Sequence, residues 1–305
     1  MDAMIDAQGV TKRFRTKGEY ITAVDHIDLC IQKNEIFGLI GPTGSGKTTI
    51  IKMFSTLVLP DEGSITINGF NVLKEENNVK ELLGVLVGEF TRSLYWRLTG
   101  RQNLDFFAKL RNMWHPEQRI DYLLDLLRLK EWENQLVMRY STGMKHKLAL
   151  AITLLSDPPI LFLDEPLTGV DPVTSLEIKH LIKEDFKEKT VLWASHNLYE
   201  IEEMCDRIGL LNQGRFVLTG SVDELKKKYW DYEKILLVTD KPSFFLTIHG
   251  AETSKEGVEI KTHDVTGVVK QIMDICDQND IRIREIKTVK PSLEEIFMAG
   301  VKNAR

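Results

Sequence analysis

The run Gly41-Pro42-Thr43-Gly44-Ser45-Gly46-Lys47-Thr48 sets a lysine and a hydroxyl behind glycines at the spacing G-x-x-x-x-G-K-[ST]. That spacing suits phosphate. Glycines let the backbone curl until several N–H groups point inward. A helix beginning at the same place, through Thr49 and Ile50, adds its positive end. Lys47 would then reach the β- and γ-phosphates of a nucleotide, and the Thr48 hydroxyl would sit on Mg²⁺.

A second chemical group lies at Asp164-Glu165, directly after the apolar run Ile160-Leu161-Phe162-Leu163. Successive strand residues point oppositely, so the two carboxylates should have different tasks. Asp164 is expected to hold Mg²⁺ through its water shell, and Glu165 to orient and deprotonate an attacking water. Ser195-His196 ends another buried strand, from which His196 could reach a γ-phosphate. The other six histidines have no such context and read as structural. Ser141-Thr142-Gly143 opens an apolar helix. It is first an N-cap, and also a second possible anion site with free backbone N–H groups.

These groups need a scaffold. Glu35 to Ile40 reads as a short buried strand feeding the phosphate loop, and Pro159 to Asp164 and Thr190 to Ala194 as buried parallel strands. Ligands bind at the carboxyl ends of strands in such sheets, where the loop, the acidic pair and His196 all fall. Ala7 to Ile31 reads as strands. Within it Phe14 could stack on an adenine, Tyr20 equally so, and a core aromatic is as good an account of either. Ser64 to Gly69 and Gly84 to Val87 read as further strands, and Leu98 to Leu129 as helical, with Ile120, Leu123, Leu124 and Leu127 on one face. Gly169-Val170-Asp171-Pro172 is a turn into the next helix, and Arg207 to Leu218 closes with a hairpin.

After Gly220 the composition shifts. Val222 to Trp230 reads as a charged helix. Ile235 to Val238, Phe244 to Ile248 and Ile281 to Ile286 read as strands, and Val265 to Cys276 as a helix. Pro291 to Phe297 carries a capping-box pattern, Ser292 to Glu295. The net charge of −5 argues against a dedicated nucleic-acid binder. Cys30, Cys205 and Cys276 show no metal-ligand spacing and suit a reducing compartment. No segment approaches the length of a membrane span, so a membrane role is expected only through a partner.

Taken together and in this order, the motifs resemble the ATP-binding subunit of an ABC transporter. The likeness is to multidrug or antibiotic exporters whose ATPase and permease are separate polypeptides. It covers about Ala7 to Leu225 fully and extends loosely to Pro291-Ser292-Leu293-Glu294-Glu295-Ile296-Phe297. Gly41 to Thr48 matches Walker A, and Asp164 and Glu165 match the Walker B aspartate and the catalytic glutamate. Ser141 to Met144 takes the signature position, Asp171 the D-loop and His196 the switch histidine. The resemblance implies an α/β P-loop NTPase cassette over 1–228, with a helical subdomain at about 90–158, and a small α+β module over 229–305. It also implies catalytic roles for Lys47, Glu165 and His196. Phe14, Gly41 to Thr49, Ser141, Gly143 and Asp171 would bind ATP, and Thr48, Asp164 and Glu89 would hold Mg²⁺. The expected partners are a permease and a second copy or a homologous ATPase, at the cytoplasmic face of the cell membrane, with no nucleic acid.

Two departures stand out. The signature reads Tyr140-Ser141-Thr142-Gly143-Met144 where the family has L-S-G-G-Q, with Ser141 and Gly143 kept. Glu89 stands where the family has a glutamine, before the aromatic and arginine-rich segment Phe90 to Arg97 where the permease docks. Three accounts of Glu89 stand: a metal contact, altered coupling to the permease, or a benign change. The alternatives to transport are a soluble ABC-type ATPase acting on ribosomes or DNA, and a nucleotide-dependent regulator with little hydrolysis.

Overall fold

The structure, a computed structural model, describes residues 3–16, 18–87, 93–229 and 232–289. Glu89 and the Pro291 to Phe297 segment lie outside the described residues. The chain divides into two compact units, Met1–Ser221 and Val222–Arg305.

In the first unit, β1 (Ala3–Thr16) and β2 (Glu19–Gln32) form a long antiparallel ribbon. Next come β3 (Ile36–Ile40), α1 (Lys47–Phe54), β4 (Glu62–Ile67) and β5 (Phe70–Asn71). After them, α2 (Glu76–Leu82) leads into β6 (Leu83–Leu86). The helical stretch supplies α3 (Gly100–Leu110), α4 (Glu117–Leu126) and α5 (Thr142–Thr153). The chain then returns through β7 (Ile160–Asp164), α6 (Pro172–His180), β8 (Thr190–Ser195) and α7 (Leu198–Met204). The hairpin β9 (Arg207–Asn212) and β10 (Arg215–Ser221) closes the unit.

These strands make two sheets. One is antiparallel, in the order β2-β1-β4-β5. The other runs β10-β9-β3-β8-β7-β6, parallel except for the β10 edge. Every residue of β7 and of β8 is buried. Their unbroken apolar runs fit strands covered on both faces. Because β3 pairs with β8 and β8 with β7, Ile40 lies opposite Ser195, and Asp164 opposite Ala194. The register gathers the phosphate loop, the acidic pair and His196 at the carboxyl ends of three neighbouring central strands. Ile50, Ile51, Met53 and Phe54 of α1 join a single core with Ile5, Ile27 and Ile31 of the first sheet and Leu39 and Phe162 of the second. That core fixes the start of α1 beneath the loop.

The helical stretch forms as its periodicity predicts. Ile120, Leu123 and Leu124 of α4 are fully buried, each worth about 1.5–3 kcal/mol of apolar transfer. Thr99 and Gln102 make a reciprocal capping box that starts α3.

The second unit contains α8 (Val222–Tyr229), β11 (Glu233–Thr239), β12 (Ala251–Thr253), β13 (Val258–Thr262), α9 (Val265–Asn279) and β14 (Ile283–Val289). Its antiparallel sheet has the order β12-β13-β11-β14. Ile235, Leu237, Val258 and Ile260 pack with Val268, Ile272 and Cys276 in a core of its own. The strand expected at Phe244 to Ile248 is a 3₁₀ helix, Pro242–Thr247. Pro242 presets its first turn, and Phe245 and Ile248, three apart, are both buried. The sheet takes β12 and β13 instead, neither expected from the sequence.

Candidate functional site

Ile40 hands the chain to a loop that closes on itself, with the Ser45 amide donating to the Pro42 carbonyl at 3.1 Å. Gly46 is the turning point. Its φ is 113°, and a Cβ there would lie 2.5 Å from the Ala23 carbonyl oxygen. Any side chain would be strained and would push the loop off β2. The Ile50 amide then donates to the Gly46 carbonyl, and α1 begins. Its first N–H groups face the loop interior unpaired within the helix.

A cavity of about 370 Å³ opens over this loop. Thr43, Gly44, Gly46, Lys47, Thr48 and Thr49 line one side. Asp164, Glu165, Thr168 and His196 line another, and Ala23 of β2 completes the wall. Gly41, Pro42 and Ser45 shape the loop behind it. The expected nucleotide and catalytic residues from Walker A, Walker B and the switch position therefore meet in one space. Phe14 does not line it; it lies on β1, 39% exposed, with the Lys12 ammonium 5.5 Å from its ring centre. Tyr20 is more exposed still.

Lys47 is buried, and its ammonium donates to the carbonyls of Gly41 at 2.7 Å and Pro42 at 3.4 Å. Burial lowers its pKa, while the charges of Glu165 and Asp164 raise it. The ammonium is held inside the loop, where a phosphate oxygen can replace a carbonyl as its acceptor.

The Thr48 hydroxyl donates to Asp164 Oδ2 at 2.7 Å. Its proton is thereby committed, and its lone pairs are left for a cation. Asp164 is buried, and its Oδ1 has no hydrogen-bond partner. Burial pushes the Asp164 carboxyl above its usual range; Thr48 opposes the rise and Glu165 adds to it. An orphaned carboxylate oxygen, a hydroxyl with free lone pairs and a neighbouring second carboxylate fit Mg²⁺, a hard cation that prefers oxygen. Among the described residues no group of three His, Cys, Asp or Glu could hold a metal alone. Thr48 and Asp164 would therefore share the ion with nucleotide phosphates and water.

Glu165 leaves the sheet abruptly. Its amide still donates to the Ala194 carbonyl at 2.8 Å, yet its φ is 53°. This left-handed turn swings the side chain toward β8. There His196 Nδ1 stands 2.8 Å from both carboxylate oxygens. A carboxylate only accepts, so Nδ1 carries the proton. The Thr168 hydroxyl donates to Oε2 at 3.2 Å. Thr168 has no signal in the sequence beyond its place one turn after the acidic pair.

Ser141, Gly143 and Asp171 form a second cluster outside this cavity. Ser141 caps α5 by accepting from the Met144 amide at 3.1 Å. Asp171 caps α6 by accepting from the Thr174 amide at 3.0 Å, and the Thr174 hydrogen bonds lower its pKa. Gly143 packs on that cap: a Cβ there would lie 2.7 Å from Thr174 Oγ1 and 3.0 Å from Asp171 Oδ2.

The described residues contain no helix long and apolar enough to cross a membrane. Residues 24–168 match the family described as ABC transporter, and residues 220–301 match the one described as ATP-binding protein DrrA1-3-like, C-terminal domain. The chain is 35% identical over 225 residues to the ABC transporter ATP-binding protein NatA of Bacillus subtilis (strain 168), covering 73% of this chain and 91% of that one. Over 305 residues it is 31% identical to the bacitracin transport ATP-binding protein BcrA of Bacillus licheniformis, covering 98% and 97%. A solved dimeric ATP-binding cassette, in a post-hydrolysis state with ADP and Pi, shares the fold with a TM-score of 0.63 at 24% identity, over 72% of this chain and 99% of that one.

Proposed function

The chain belongs to the ABC transporter family as an ATP-binding, ATP-hydrolysing subunit, and from that premise we propose that it powers export through a separate transmembrane permease. The observation that carries the proposal is the Glu165 carboxylate, held by His196 and Thr168 beside Lys47 and the Thr48–Asp164 pair.

In this reading the loop amides from Thr43 to Thr48 and the start of α1 cradle the phosphates of ATP. Lys47 gives up its contacts with the Gly41 and Pro42 carbonyls for the β- and γ-phosphates. Thr48 and Asp164 would together hold Mg²⁺, the threonine through its hydroxyl oxygen and the aspartate through its carboxylate. The bound ion neutralises phosphate charge, which rises toward the leaving oxygen in phosphoryl transfer. Glu165 accepts a proton from water as the water oxygen bonds to the γ-phosphorus and the bond to ADP breaks. His196, donating from Nδ1, keeps the carboxylate turned into the cavity.

The Ser141–Gly143 cluster has no part in its own cavity. In the proposed assembly two copies meet head to tail, and α5 of each brings Ser141 and Gly143 to the nucleotide held by the other. Closure on ATP and reopening after hydrolysis would move the permease. The subunit would sit at the cytoplasmic face of the membrane through that contact. The bacitracin transport relative, which aligns over nearly the whole chain, favours a cargo of the drug or antibiotic class.

Glu165→Gln tests the reading. General-base loss should cut ATP turnover by about 10²–10⁴-fold while leaving ATP affinity nearly unchanged. With ATP present, the variant should elute as a dimer in size-exclusion chromatography. Turnover within a few-fold of wild type would remove Glu165 from the base role.

A further inference from the structure

Helix α5 carries a histidine that none of the assigned motifs uses. His146 is buried, and its Nδ1 lies 3.2 Å from the carbonyl oxygen of Pro166. A carbonyl only accepts, so Nδ1 is the donor. Pro166 follows Glu165 directly and is itself buried. Without an amide hydrogen, Pro166 cannot be held from its nitrogen side. Its carbonyl is the polar handle by which the turn after Glu165 can be gripped.

That turn has two further fixed points. Upstream, the Glu165 amide is bonded to Ala194 of β8. Downstream, the Thr168 amide donates to the Glu165 carbonyl at 3.2 Å, and the Thr168 hydroxyl meets the Glu165 carboxylate. The left-handed φ of Glu165 is a conformation that non-glycine residues hold only when their surroundings impose it. His146 supplies one such constraint, from outside the sheet. Helix α5 is a firm post for it: Lys147, the next residue, forms an ion pair with Glu177 of α6, and Arg128 reaches the same carboxylate group at 2.6 Å. Gly143 packs directly on the α6 cap.

We infer that His146 is a positioning residue for Glu165, holding the Pro166 carbonyl and with it the turn that aims the carboxylate at the reacting water. The inference rests on the base role of Glu165. His146 is not among the residues that line the cavity over the phosphate loop, and it acts on the base through the backbone next to it.

Two variants of the full-length chain test it, His146→Leu and His146→Gln, with Glu165→Gln measured alongside. Leucine fills the space without a donor, and glutamine restores an N–H at similar reach. A displaced base costs turnover and spares binding, so His146→Leu should lower kcat by about 10–100-fold. Its KM and its affinity for a fluorescent ATP analogue should stay near wild type, which also reports a folded site. His146→Gln should recover most of kcat. The inference is overturned if His146→Leu keeps the wild-type kcat, if KM rises and affinity falls as kcat drops, or if glutamine fails to rescue. Glu165→Gln separates the two readings. If it is inactive while His146→Leu is normal, only the role of His146 falls. If it turns over freely, the base assignment falls and this inference falls with it.

Discussion

Replacing Thr48 with valine separates what the hydroxyl does for the fold from what it does for the nucleotide. Valine matches the shape of threonine and lacks the donor. In the wild type the hydroxyl gives Asp164 Oδ2 a bond of 2.7 Å, while Oδ1 is buried and unpartnered. Asp164 is 3% exposed, so water cannot readily take the place of the lost donor. A hydrogen bond to a charged group is worth about 1.5–3 kcal/mol, and leaving a buried acceptor unmade costs a similar amount. Taking about 2 kcal/mol, and about 2–4 °C per kcal/mol for a unit of this size, Thr48→Val should melt about 4–8 °C below wild type. The assay is thermal unfolding in EDTA without nucleotide, which takes the metal-binding role of the hydroxyl out of the comparison. Thr48→Ser keeps the donor and should melt near wild type. If the valine and serine variants melt together, the Thr48–Asp164 bond contributes nothing to the fold and the reasoning fails. With Mg²⁺ and ATP restored, the valine variant should also lose turnover.

Asp164→Asn should move stability the other way. Burial disfavours the Asp164 charge, so a neutral side chain of the same shape should raise the melting temperature in EDTA while removing Mg²⁺-dependent turnover; an unchanged or lower melting temperature would count against that cost. His146 predicts a pH effect on folding. Burial lowers its pKa from the ordinary 6.5, so the unfolded chain takes up a proton that the folded chain refuses. Its contribution to stability is therefore complete above 6.5 and is lost as pH falls below that value. The stability gap between wild type and His146→Leu in urea unfolding should shrink on the acid side, and a gap independent of pH would refute the assignment.

The parts legible in the sequence are those whose chemistry is local. A phosphate loop needs glycines, a lysine and a hydroxyl within eight residues of chain, and Gly41 to Thr48 supplies them in order. A carboxylate pair at the end of a strand buried on both faces is equally local, because Ile160 to Leu163 must be covered whatever surrounds them. Which strands stand side by side is less local. The prediction that His196 lies near the acidic pair needed β7 and β8 to be neighbours, and their parallel register makes them so. The second unit shows how a correct apolar pattern misleads. Phe244 to Ile248 buries Phe245 and Ile248, and a spacing of three suits a 3₁₀ turn after Pro242 better than an alternating strand. Val258 and Ile260 do alternate, and that signal was available for β13. The contact of His146 with Pro166 was out of reach. Its acceptor is a backbone carbonyl twenty residues further on, and every residue of the chain presents the same carbonyl. Residue types can report which side chains are capable of chemistry. The backbone groups that hold those side chains still are common to the whole chain, so only packing reveals which of them is used, and the left-handed turn at Glu165 and its anchor on α5 belong to that class.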